Sequence, residues 1–179
     1  MPDPNELIAR LDACPAGTAG WVEFENVCIE ILKYLFSPEL AEPKTQARSY
    51  SGIDRRDAIF PNRNLTGENN WAHIYRELGA RLIVFEFKNY DTSEVEKNEV
   101  IQTSSYLRNP MGKLAILCCN KEPARSAYLK RNTIYKEEGK VILFLTKDNL
   151  KEMIYIKQRG EDPSDLIVDL IEWFYIGYE

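Results

Sequence analysis

The chain has 179 residues, 44% apolar and 28% charged, which suits one domain able to bury roughly 70% of its unfolded surface. That balance excludes disordered and collagenous compositions, and the longest apolar runs (82–85, 114–119 and 141–145) fall far short of the roughly 20 residues a membrane span needs. A net charge of −5 weighs against indiscriminate nucleic-acid binding but leaves room for a local positive groove.

The start, Met-Pro-Asp-Pro-Asn-Glu, lacks the basic and apolar stretches of a secretory leader, so a cytoplasmic protein is expected. The first helix is predicted over Trp21–Phe36, with Glu23, Asn26, Glu30 and Lys33 forming one solvated stripe. An extended segment at 44–50 and a turn at Ser51-Gly52 lead to a short strand at 57–60, stopped by Pro61. A loop over 62–70 precedes a helix at 71–78 that ends at Gly79. Residues 81–88 form the clearest strand. Ser93 and Glu96 have capping-box spacing, which predicts a helix from there to about Arg108. Strands at 114–119 and 141–145 alternate with a helix near 124–135. Two helices close the chain, one at 148–156 and one opening with Pro163 at its first position and turning Leu166, Ile167, Leu170, Ile171 and Phe174 inward. This alternation predicts a single α/β domain over 1–179, a sandwich with a mixed sheet.

Four cysteines (Cys14, Cys28, Cys118, Cys119) show no paired C-x-x-C spacing, and Cys118 and Cys119 should point to opposite faces of a strand as buried thiols. With His73 as the single histidine and no nucleophile motif beside it, neither a structural zinc site nor triad catalysis is expected.

The most informative segment is Leu-Ile-Val-Phe-Glu-Phe-Lys at 82–88. A continuous apolar run reads as a central strand covered on both faces. Ile83, Phe85 and Phe87 face one layer, while Val84, Glu86 and Lys88 face the other. A carboxylate and an ammonium thus leave one end of a core strand on one face, where each needs a partner. Upstream, Asp57 leads directly into the short strand. If the two strands are neighbours, Asp57 and Glu86 converge. Two carboxylates about 4 Å apart repel by roughly 4 kcal/mol at an effective dielectric near 20. Such a pair persists when it shares a proton or binds a cation, and hard oxygen ligands suit Mg²⁺ or Mn²⁺.

Asp57, followed after a long gap by Glu86-x-Lys88 on a core strand, resembles the PD-(D/E)xK nuclease superfamily. The resemblance implies a restriction-endonuclease-like three-layer sandwich with a central mixed sheet flanked by helices. It makes Asp57 and Glu86 the ligands of Mg²⁺ or Mn²⁺ and Lys88 the catalytic lysine. Arg56, rather than proline, precedes Asp57, which leaves Asp54 as a rival ligand. Glu25 lies off the solvated stripe of its helix and resembles the family's leading-helix glutamate, expected to assist catalysis. Gln102 and Tyr106, four apart on one helix face, resemble a Q-x-x-x-Y element beside the active site. Arg55 and Arg56, with Lys44, Arg48 and Arg108, are candidates for phosphate contacts, and Tyr106 for a substrate contact. Trp71 and His73, between the motif strands, are expected to serve packing. The implied function is a metal-dependent endonuclease, with double-stranded DNA favoured over RNA and a role in restriction or anti-phage defence. The small acidic chain is expected to grip DNA as a homodimer or with a partner subunit. The alternative is a nuclease-fold binding or assembly subunit that does not cut.

Overall fold

The computed structural model describes residues 2–48 and 55–178. Its elements in chain order are α1 (Pro4–Ala13), a short 3-10 turn (Gly17–Ala19), α2 (Trp21–Phe36), β1 (Lys44–Arg48), β2 (Arg55–Pro61), α3 (Asn70–Leu78), β3 (Leu82–Lys88), α4 (Lys97–Tyr106), β4 (Leu114–Cys119), α5 (Arg125–Glu138), β5 (Val141–Thr146), α6 (Lys147–Gln158) and α7 (Asp165–Gly177). The strands form one mixed sheet in sequential order. β1, β2 and β3 are antiparallel neighbours, whereas β3, β4 and β5 run parallel. Parallel neighbours need a long crossover, and here α4 and α5 supply it.

Helices cover both faces of the sheet, an α/β architecture compatible with three layers. On one face Ala58, Phe60, Ile83, Phe85, Ile116, Leu143 and Leu145 share a core with the inner faces of α1, α2, α3, α6 and α7. On the other, Leu117, Cys119, Ile142 and Phe144 pack with Val100, Ala127 and Ile134 from α4 and α5. A smaller cluster on that side joins Ile59, Val84 and Ala115 to Tyr106 and Leu107. The predicted alternation along β3 is therefore observed, with Phe85 and Val84 in different cores. All four cysteines are free and buried, and Cys118 and Cys119 lie in different clusters, as predicted.

Several boundaries shift by a few residues, and three departures from expectation are larger. A helix precedes the one predicted first: Asp3 caps α1 by accepting from the Asn5 N–H at 2.9 Å, Pro4 opens it, and Leu7 and Leu11 enter the core. Its two buried apolar residues make too narrow a stripe to stand out in sequence. Helix α4 begins later than Ser93, because the capping box is formed by Glu96 and Glu99 instead. Pro163 lies in the turn ahead of α7 rather than at its first position; along α7, Ile167, Ile171 and Phe174 are buried and Leu166 and Leu170 half-buried. Entry to α2 depends on Gly20, where a Cβ would stand 1.9 Å from the Pro15 carbonyl oxygen.

Candidate active site

Residues on β2 and β3 pair from Pro61↔Leu82 to Ala58↔Phe85, and there the regular ladder ends. Past that point, side chains replace main-chain acceptors. The Asp57 N–H donates to Glu86 Oε1 at 3.2 Å, and the Phe87 N–H donates to Asp57 Oδ2 at 3.0 Å. Two strand N–H groups that would otherwise lack a partner are thus met by two carboxylates, which fixes both acids where the strands part. Lys88 adds a cation on the same face, its Nζ 3.7 Å from Glu86 Oε2.

Glu86 is only 2% exposed. Burial pushes its carboxyl up to about 7, the nearby charge of Asp57 adds to the rise, and Lys88 opposes it. A carboxylate here is an expensive group, and a proton or a cation relieves it.

Glu25, Asp57, Glu86, Lys88 and Gln102 all line one cleft of about 320 Å³. The five residues singled out for catalysis in the sequence, spread over 78 positions of chain from 25 to 102 inclusive, therefore meet. Glu25 is buried on α2, as its position off the solvated stripe requires, although Trp21 and Val22 beside it are exposed. It accepts a hydrogen bond from the Gln46 side chain of β1. On α4, Gln102 Nε2 donates to the Tyr106 hydroxyl at 2.9 Å. Tyr106 is 3% exposed and part of the small core beneath, so it braces Gln102 and offers substrate little surface.

Of the basic candidates whose side chains are described, none lines this cleft. Arg56 is half-buried with its guanidinium 5.6 Å from the Tyr106 ring centre, and its Nε has no hydrogen-bond partner among the described residues. Lys44, Arg48 and Arg108 are exposed. Asp54 and the side chain of Arg55 lie outside the described residues. Trp71 is buried and packs edge-on against Phe36 at 4.9 Å, the packing role expected of it. His73 departs from expectation: it is exposed, with its ring nitrogens on the Glu68 carbonyl and on Arg76. At the solvent face of α3 there is no core for it to pack against.

Sequence reasoning missed two cleft residues and one support. Asn89 is 9% exposed at the end of β3, where its amide donates to the Pro15 and Gly17 carbonyls at 2.8 and 3.2 Å. It ties the loop that enters α2, and so the helix carrying Glu25, to the strand carrying Glu86. A polar residue directly after Glu86-x-Lys88 was the available signal. Trp21, 47% exposed, also lines the cleft, and nothing in its helical position distinguished it from a core residue. Gln46 had no signal beyond lying in an extended segment.

Among the described residues no group of three or more His, Cys, Asp or Glu side chains is placed to hold a metal. The donor set at this site is the Asp57–Glu86 pair. Two oxygen-bearing groups fit Mg²⁺, which binds through one or two carboxylates and completes its shell with water and substrate phosphate.

No protein-family model matches the chain, and no solved structure gives a significant match. A curated relative, the "Putative transposon gamma-delta 80.3 kDa protein" of Escherichia coli (strain K12), is 30% identical over 171 residues. The match takes in 91% of this chain and 23% of that protein, so the chain spans about a quarter of the relative's length. No helix among the described residues is long and apolar enough to cross a membrane.

Proposed function

We propose that the chain is a divalent-metal-dependent endonuclease of the PD-(D/E)xK type, acting on double-stranded DNA in the cytoplasm, in restriction or another defence against foreign DNA. One observation carries this reading: a buried carboxylate, Glu86, and a half-buried one, Asp57, each accept a strand N–H from the other's strand, with a lysine amine 3.7 Å from Glu86, inside a cleft shared with Glu25 and Gln102. The element order from α2 through β1, β2 and β3 to α4 and β4 supports the restriction-endonuclease-like fold. The relative's name ties that protein to a transposon, which supports DNA as the substrate class here.

Asp57 and Glu86 would hold Mg²⁺ or Mn²⁺. When bound, the cation supplies Lewis-acid chemistry, withdrawing charge from the phosphodiester and making water more acidic. The Lys88 ammonium, half-buried and aimed at the same cleft, orients the attacking water by hydrogen bonding and offsets charge that builds on the phosphate. Glu25 faces the pair from α2 and accepts from water on that side. Gln102, held by Tyr106, donates to a phosphate oxygen. The acidic chain would grip DNA as a homodimer or beside a partner subunit.

The decisive experiment incubates purified protein with plasmid and with RNA, plus Mg²⁺ or Mn²⁺, against an EDTA control. Cleavage is expected to need the metal and to fall at least ~100-fold in Asp57→Ala, Glu86→Ala and Lys88→Ala. Cleavage unchanged in those variants removes the site assignment. A second reading, a nuclease-fold binding subunit that does not cut, draws on the Lys88–Glu86 ion pair, which can serve as a structural link. Absence of any metal-dependent cleavage, with folded protein and retained DNA binding, favours it.

A further inference from the structure

Gln46 has a backbone φ of 52°, and no other non-glycine residue among those described has a positive φ. The left-handed region is disfavoured for a side chain with a Cβ, and a strand interior gives it no turn to serve. Such strain survives when surrounding contacts over-determine it, and it concentrates at functional sites.

The register locates the strain. Thr45↔Ala58 and Ala47↔Arg56 put Gln46 opposite Asp57, and Ala58↔Phe85 puts Asp57 next opposite Glu86. Residues paired in one row share a face of the sheet. In ordinary extended geometry Gln46 would therefore stand beside the Asp57 and Glu86 carboxylates. With its backbone turned, its amide instead donates to Glu25 Oε1 on α2, whose apolar side packs in the core of the opposite face. The pairing of β1 with β2 continues on both sides of it, so the turned residue is confined to position 46.

Resting on the nuclease reading above, we infer that Gln46 is a positioning residue: its left-handed backbone aims an amide at Glu25 and holds that carboxylate at the rim of the metal-binding pair. Glu25 is buried on a long side chain that has several rotamers. A donor mounted on a strand restricts it to one of them. The strained backbone is the cost, and the contact to Glu25 is what it obtains.

Gln46→Gly separates these two parts, because glycine adopts the same φ without strain and has no amide to offer. The variant is expected to melt at or above the wild-type temperature. By calorimetry it should bind Mn²⁺ about fivefold more weakly, and cleavage should fall about tenfold in kcat with little change in KM. Both losses should disappear in a Glu25→Gln background, where there is no carboxylate to place. Gln46→Asn, which tolerates this backbone and keeps a shorter amide, should recover part of each. Wild-type cleavage with unchanged Mn²⁺ affinity and kcat in Gln46→Gly overturns the inference alone. So does the same loss in the Glu25→Gln background. A wild-type protein that neither binds Mn²⁺ nor cleaves overturns the nuclease reading, and the inference falls with it.

Discussion

Asp57 and Glu86 belong to a row of paired residues that continues through Leu117 on β4 and Phe144 on β5. The two halves of this row share one sheet and one face but have opposite chemistry. Leu117 and Phe144 are covered by α4 and α5, packed with Val100, Ala127 and Ile134, and Phe144 meets Tyr128 edge-on at 5.0 Å. Asp57 and Glu86 sit where β2 and β3 part and a cleft opens instead. The covered half obtains its stability from burial. In the open half, burial works against Glu86, and a proton, a cation, Lys88 and the Asp57 N–H each offset it. A site for charged chemistry thus borrows the rigidity of neighbouring strands without sharing their interior.

The covered half can be broken most severely. Leu117→Ala removes a fully buried side chain from a packed cluster and is expected to cost about 2–5 kcal/mol in urea unfolding. Glu86, its partner across the strand pair, should respond in the opposite sense. If Leu117→Ala costs less than ~1 kcal/mol, the neighbouring interior is looser than the contacts around it require.

The open half is sharpened by pH. Glu86 in the folded state is raised to about 7 from an ordinary 4.5, so folding favours its protonated form. Below about pH 4.5 the group is protonated whether the chain is folded or not, and it costs nothing. As pH rises from there through 7, the unfolded chain ionises first and stability is lost. Glu86→Gln keeps an oxygen to accept from the Asp57 N–H but cannot ionise. In EDTA it should be more stable than wild type by on the order of 2 kcal/mol at pH 8.5, with the difference fading by pH 4. Added Mg²⁺ should stabilise the wild type more than the variant and narrow the gap. A gap equal at pH 4 and pH 8.5 means that packing, not charge, separates the two proteins.

Much of this contrast is legible in the amino-acid sequence itself, and the reasons are local. The run at 82–88 advertises both its coverage and its polar end through period-two alternation, and strand pairing needs only Asp57 ahead of a short apolar stretch. The extra first helix is hidden because α1 buries just Leu7 and Leu11. Asn89 and Gln46 are hidden for a different reason. Their roles depend on which loop meets the strand end and on a single backbone torsion, and neither leaves a periodic trace. Tyr106 lies between these cases: its spacing from Gln102 is readable, but not the burial that makes it a brace.

Tyr106 also offers the smallest and most selective test of where the covered region yields to the open one. Its ring belongs to the cluster with Ile59, Val84 and Ala115, while its hydroxyl accepts from Gln102 at the cleft. Tyr106→Phe retains the ring and removes the oxygen, so the packing survives and the tie to Gln102 is lost. One such hydrogen bond contributes about 1 kcal/mol, so urea unfolding should register a loss of that size or less. Cleavage should fall about three- to fivefold, since an unbraced Gln102 spends less time in its donating rotamer. A fall at least as large should appear in Gln102→Ala, which removes the donor itself, and adding Tyr106→Phe to it should change little, because no amide is left to brace. Losses that instead multiply in the double variant place the hydroxyl and the amide in separate roles, and the boundary between core and cleft then runs through Tyr106 itself.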